Sequence, residues 1–486
     1  MLRGFVSMLI KPISLSEYQN TGAKLSSSNI SPRHKKSIGD FNNIFSMHNF
    51  LGVIALCSTI AIFILTKNSE YFIATLSPFS YFIFLNLFLN GPKFRNNLPT
   101  ELFVYAYCFR MCILPLVSAL GDFYMGGGEE QIVQYYSYSI MLMVLECMIV
   151  FLVSRFYVYK YDRLIKYTYN TNTIKVFNKK VKLIVFSMAI TLFLIVLYKP
   201  GVLSSYTVVW NIVDRISLDE LSSIQSGPLW YIFDFLMMYF RLIINSLIIA
   251  FCLSHQNKKK LFLLIAVILL NIVIISDRRI LSLICGISGL MAFYRYYEIP
   301  RSIKTSVFSV ISIMIFFVIF MFFYNMDENV LAMLSRALNN YFAGPSIGAM
   351  ALVVNSNYGL QFTEFFKLLY NNFTSLYVLF GSIELQDFYT PTFGYYAWTP
   401  MMVGGIRYFG VLHLFVAIFI LYYIHRLEPI RLKSKSLFEN VLYIHIILSM
   451  IAFFIMYTVE LLIYNILMFY ILEIIVVKKI RLFRHA

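Results

Sequence analysis

Two adjacent arginines, Arg278 and Arg279, sit in a four-residue stretch, SDRR, between two short apolar runs. Each guanidinium is a planar fork of N–H donors that matches phosphate oxygens, so a doubled fork held near lipid headgroups points to anion chemistry. Asp277 adjoins the pair. A second set of groups lies in GSIELQDFYTPTFGYYAWTP at 381 to 400, where Glu384 and Asp387 stand among Tyr389, Tyr395, Tyr396 and Trp398. Rings stack on the apolar faces of sugars and carboxylates accept from sugar hydroxyls, so this mixture suits a carbohydrate cleft. The same aromatics also suit a belt at a membrane interface. A third set, Asp234 and Arg241, is spaced by seven within one apolar run and so shares a helix face. With Arg407 in a later run, these groups would line a water-filled cavity, or form a structural Asp–Arg pair beside a snorkelling arginine.

Other reactive residues read as structural. Arg110 and Glu146 fall midway along consecutive apolar runs, at matching depth, and predict a buried ion pair; a proton or ion path is the functional alternative. Cys108 and Cys112 share a helix face without a histidine or second cysteine pair to complete a metal site, so packing is expected there and no metal. All six cysteines fall in apolar runs, and no disulfide is expected. His413 is a single histidine on an apolar helix and reads as a core residue. Glu473, five residues before Lys478, is expected to reach the membrane interface.

The elements that must position these groups follow from composition. Hydrophobic residues are 59% of the 486 and charged residues 13%, against about 25% charged in soluble domains. Apolar runs recur that are long enough to cross hydrocarbon as helices, and lipid requires each backbone polar group to be satisfied within its own segment. The fold class is therefore an all-α polytopic membrane protein. Spans are expected near 50–66, 71–89, 101–120, 135–157, 181–198, 229–253, 261–275, 280–294, 305–325, 399–424, 437–457 and 459–477. The net charge of +16 needs no nucleic acid, because the basic residues alternate with the spans. With the N-terminus in the cytoplasm, 29 of the 40 Lys and Arg fall on the cytoplasmic side and seven outside, with both termini inside.

This map divides the chain into a cytoplasmic tail (1–49), helices one to nine (50–325), one large extracytoplasmic loop with short helices (326–398), helices ten to twelve (399–477) and a basic cytoplasmic tail (478–486). Residues 1 to 13 lack a small-residue cleavage site, so no signal peptide is expected, and Met47 is an alternative start. FTEFFKLLYNNF at 362 to 373 has the amphipathic pattern of an interfacial helix. Arg278 and Arg279 are expected at the outer headgroup level.

Three segments together resemble the Wzy family of O-antigen and capsular repeat-unit polymerases. They are IISDRRILSLICGISGL at 274 to 290, SRALNNYFAGPSIGAM at 335 to 350 and YYAWTPMMVGGIRYFGVLHLFVAI at 395 to 418. Their order, the late outward loop and the span count agree with that family, while the doubled arginine departs from its usual single one. The resemblance implies transfer of a glycan from undecaprenyl pyrophosphate to a second undecaprenyl-pyrophosphate-linked oligosaccharide, at the outer face of the bacterial cytoplasmic membrane. It implies membrane lipid and a chain-length regulator protein as partners, and no cofactor. Arg278, Arg279 and Arg336 would hold the pyrophosphate, with Arg215, Arg407 and Arg241 in support. Tyr341, Tyr395, Tyr396 and Trp398 would meet the sugar. No histidine lies in an outward loop, so the base would be a carboxylate: Glu384, Asp387, Asp234 or Asp277. A lipid-linked oligosaccharide flippase and a lipid-linked sugar ligase are the other readings; a flippase should show two similar halves, and none is found.

Overall fold

A computed structural model describes residues 47–89, 97–123, 129–161, 179–200, 228–254, 258–273, 279–296, 366–367, 409, 412–434, 436–456 and 459–474. They are almost entirely helical. In chain order the helices are α1 (Met47–Thr66), α2 (Leu76–Phe88, entered through a 3-10 turn at Glu70–Thr75) and α3 (Leu98–Leu120). Next come α4 (Glu129–Tyr161), α5 (Lys179–Tyr198), α6 (Pro228–Ser254), α7 (Lys258–Val273) and α8 (Arg279–Tyr296). The last are α9 (His413–Lys433), α10 (Leu437–Met456) and α11 (Val459–Glu473). Six of the described helices, including α1, α3, α4 and α10, are long and apolar enough to cross a membrane. The chain is thus a multi-pass α-helical membrane protein. Helices stand wherever an apolar segment was expected, except that 305–325 and the first part of 399–424 lie outside the described residues, as does nearly all of the 326–398 loop.

Local sequence explains the breaks. Asn97 caps α3, its side-chain oxygen accepting from the Thr100 N–H at 3.0 Å, and Pro99 sits in the first turn, where a missing N–H costs nothing. Midway, α3 loosens into a π-helical turn at Phe109–Ile113, just before Pro115. It ends at Gly121, after which Asp122 and Phe123 adopt φ of 51° and 53°. That region is costly for a bulky residue, and ring packing holds Phe123 there: it stacks on Tyr71 at 4.6 Å and meets Tyr136 edge-on at 5.8 Å.

One expectation changes. The tenth span was placed at 399–424, yet α9 runs on through Lys433. The reason is that the charges beyond 424 are paired inside the protein. Glu428 and Arg431 form a two-point ion pair one helical turn apart, both buried, with N–O distances of 2.7 Å. Pro429 adds no break; it forfeits one backbone hydrogen bond within an enclosed helix.

Helix α10 is the centre of the bundle. It is the most enclosed of the candidate spans and packs against α3, α6, α8, α9 and α11. Helices α2 and α3 pack with α4, and α6, α7 and α8 pack with one another. Lipid-facing residues such as Phe186, Phe193 and Leu197 of α5 are exposed, as expected where the solvent is hydrocarbon.

The two ends of the bundle differ in chemistry. At one end Tyr71, Phe123 and Tyr136 form the aromatic cluster just described. At the other, four helix ends meet through buried charge: Arg295 of α8 pairs with Glu101 of α3, Arg431 donates to the Tyr296 hydroxyl, and Tyr296 donates to Asn440 of α10 at 3.3 Å. The Leu98 N–H faces the Glu428 carboxylate at 3.5 Å.

Candidate functional site

Of the residues expected to do chemistry, Arg215, Asp277, Arg278, Arg336, Tyr341, Glu384, Asp387, Tyr395, Tyr396, Trp398 and Arg407 lie outside the described residues. Asp234 belongs to α6 and Arg279 opens α8, each described by its backbone alone. Arg241 is described in full: it lies midway along α6, partly buried, within electrostatic range of the Cys285 sulfur on α8.

The register of α6, α7 and α8 fixes the depth of these groups relative to one another. The Asn245 amide donates to the Cys285 carbonyl at 3.2 Å. One turn along, Gly289 packs so closely that a Cβ there would lie 3.1 Å from Ile249 and 2.9 Å from Ile268. The pairs 245–285 and 249–289 share one offset, so α6 and α8 run parallel. Asn271 of α7 donates to Asn245 at 2.9 Å, placing α7 antiparallel between them. Arg279, six residues before Cys285, is therefore level with Tyr239, and Arg241 is about 3 Å from that level along the axis. The first residue of α6, Pro228, stands about 16 Å further toward that end.

The first residue of α8 stands about 16 Å short of the first residue of α6 along the axis, α8 having 18 residues against the 27 of α6. A step results, with Arg241 and the α8 N-terminus at one level. Backbone N–H groups at a helix start and a guanidinium at the same depth both favour an anion.

Beneath this level lies a polar knot absent from the sequence-based reading. Asn245 Nδ2 also contacts His445 Nε2 of α10 at 2.7 Å. His445 Nδ1 meets the Val441 carbonyl at 2.9 Å and the Ser246 hydroxyl at 3.1 Å. Asn245 is 4% exposed, and Ser246 and His445 are fully buried. Because Nδ2 can only donate, Nε2 accepts, and the imidazole proton sits on Nδ1.

Elsewhere the expected Arg110–Glu146 pair is present. Arg110 Nη1 donates to Glu146 at 2.7 Å and Tyr107 donates to the same oxygen at 2.5 Å, both charged residues being 1% exposed. Arg110 Nε and Nη2 find no hydrogen-bond partner among the described residues. His425 was also not anticipated: it is fully buried, 3.2 Å from the Ser154 hydroxyl and stacked on Tyr157 at 4.6 Å. His413 is buried, as a core residue should be. Glu473, expected at the interface, is 4% exposed. Its neighbours on α9 and α10 include Tyr423 and Tyr443, which supply polar surroundings away from water. All six cysteines are free thiols.

No family model matches the chain, and no curated protein or solved structure matches it either.

Proposed function

We propose that this chain is a polymerase that joins undecaprenyl-pyrophosphate-linked oligosaccharide repeat units into O-antigen or capsular polysaccharide, on the outer side of the bacterial cytoplasmic membrane. The observation that carries the reading is the common level of Arg241 and the first residue of α8, Arg279, in a recess beside the longer α6. A lipid pyrophosphate is anchored by its tail and presents its charge just at the hydrocarbon edge. Basic groups recessed by part of a helix length meet it there without drawing the lipid out of the membrane.

In this reading a carboxylate, Glu384, Asp387, Asp234 or Asp277, takes the proton of an acceptor hydroxyl. The acceptor oxygen bonds to the anomeric carbon of the donor glycan. The bond from that carbon to the pyrophosphate breaks, and its electron pair leaves with the lipid pyrophosphate. Arg278, Arg279 and Arg241, with Arg336, Arg215 and Arg407 in support, neutralise the developing charge, so no nucleotide is consumed. Tyr341, Tyr395, Tyr396 and Trp398 hold the sugars in the 326–398 loop. Twelve spans, cytoplasmic termini and a chain-length regulator partner belong to the same proposal.

The test is chain extension by purified protein in detergent micelles with lipid-linked repeat units. Micelles have no sides, so a transporter would yield no product. Arg278→Ala, Arg279→Ala and Arg241→Ala are each expected to slow extension by about a hundredfold or more. Lysine should restore only part, since it cannot form a bidentate fork. Among Glu384→Ala, Asp387→Ala and Tyr396→Ala, one carboxylate variant should be nearly inactive and the others should change chain length or acceptor preference. Unreacted repeat units with the wild-type protein, or normal extension in all three arginine variants, would sink the reading.

A further inference from the structure

We infer that Asn245 is a positioning residue that sets the depth of the α8 N-terminus, and with it the level of the anion site; as to the anion site, this rests on the function proposed above. One carboxamide ties three helices to a fourth. Its oxygen accepts from Asn271 of α7, and its two N–H groups serve the Cys285 carbonyl of α8 and the His445 ring of α10. That exhausts the donors of an amide. Aspartate at 245 would offer no donor, leucine no polar atom at all, and glutamine would carry its amide one carbon too far.

Location gives the knot its consequence. Arg241 is one turn from Asn245 on the same helix face, and Arg279 is six residues from the Cys285 carbonyl that Asn245 holds. Both basic groups therefore take their level from this amide. Gly289, one turn further into the bundle, adds the steric part: its missing Cβ lets α8 close against Ile249 and Ile268. The steric contact resists separation of the helices, whereas the directional bonds at 245 resist sliding along their axes at this level, as those of Arg295 and Tyr296 do at the far end of α8. A side chain in hydrocarbon has no water to replace those bonds, so their loss is felt as a change of register.

The test reads depth directly. A nitroxide on Ser276→Cys, in a Cys57→Ser background that leaves the other five, buried cysteines in place, is compared for collision with oxygen and with a water-soluble nickel chelate in lipid bilayers. Asn245→Ala should move the label toward the headgroups and slow chain extension by about tenfold to a hundredfold. Ser154→Ala removes a comparable buried contact, to His425 between α4 and α9. It should lower the melting temperature similarly while leaving both label depth and extension rate unchanged. An unchanged depth in Asn245→Ala overturns the inference whatever the activity does. If that variant fails to insert, His445→Gln, which disturbs one of the three bonds, should give a smaller shift in the same direction, and no shift overturns the inference equally. Failure of the functional reading looks different: the wild-type protein makes no polymer, or Arg241→Ala extends normally, while the depth measurement still decides the role of Asn245.

Discussion

Arg110 and Glu146 form an ion pair at positions 1% exposed, yet two of the arginine's N–H-bearing nitrogens, Nε and Nη2, have no partner among the described residues. The pair therefore stabilises the bundle less through its own attraction than through the cost of separating its members. Removing one partner strands the other, which typically costs about 3–5 kcal/mol, whereas replacing both with apolar side chains of similar volume is often neutral or favourable. Glu146→Met and Arg110→Met should each lower the melting temperature in detergent, and the double variant should be more stable than either single one. A double variant no more stable than either single one would show that the attraction itself, lost in all three, dominates. This pair was legible in the sequence because the middles of two consecutive antiparallel spans must lie at similar depth. The Asn245–His445 contact was not, since neutral polar residues 200 positions apart leave no charge pattern to read.

At the scale of elements, the apolar runs located the helices, and what they missed was how charge ends a helix. Arg295, Arg426 and Arg431 looked like orientation signals beside the membrane edge. Arg295, in the last turn of α8, is instead paired with Glu101, and Arg431 is buried against Glu428 and Tyr296 within an α9 that extends to include it. The spacing of Glu428 and Arg431, one turn apart, was the available signal. The short α7 and α8 were evident from their run lengths, but not which of their ends would be recessed. That depended on register, set by Asn245 and by the close approach at Gly289. Gly289→Val should therefore force α8 from α7 and cost about 1–3 kcal/mol by overpacking. Ile268→Ala, which empties the space the new side chain needs, should recover part of that loss. Equal melting temperatures for Gly289→Val with and without Ile268→Ala would mean the strain is relieved elsewhere. Of the candidate site, the sequence could supply residue types and order; among the described residues only Arg241 can be set against that expectation with its side chain in place.

For the whole molecule, the distribution of chemistry between the two ends bears on orientation. The charged end gathers residues 97–101, 295–296, 428–434 and 440, and the aromatic end gathers Tyr71, Phe123 and Tyr136. Strict alternation of twelve spans places the first group on the cytoplasmic side and the second outside, so the contacts within each end agree with the alternation itself. They do not by themselves say which end faces the cytoplasm; that comes from the basic residues. The 158–180 gap holds six Lys and Arg in 23 residues, and short basic loops are retained inside. We therefore predict that a cysteine replacing Asn172 is protected from a membrane-impermeant maleimide in intact cells and reacts only after the membrane is breached. A cysteine replacing Asn357, in the 326–398 loop, should react in intact cells. The reverse pattern would invert the map and put the proposed arginine site on the cytoplasmic side, where no outward polymerisation can occur. Labelling of both in intact cells would instead mean that an even number of crossings separates 158–180 from 326–398, so that one of the five apolar segments between them does not span the membrane.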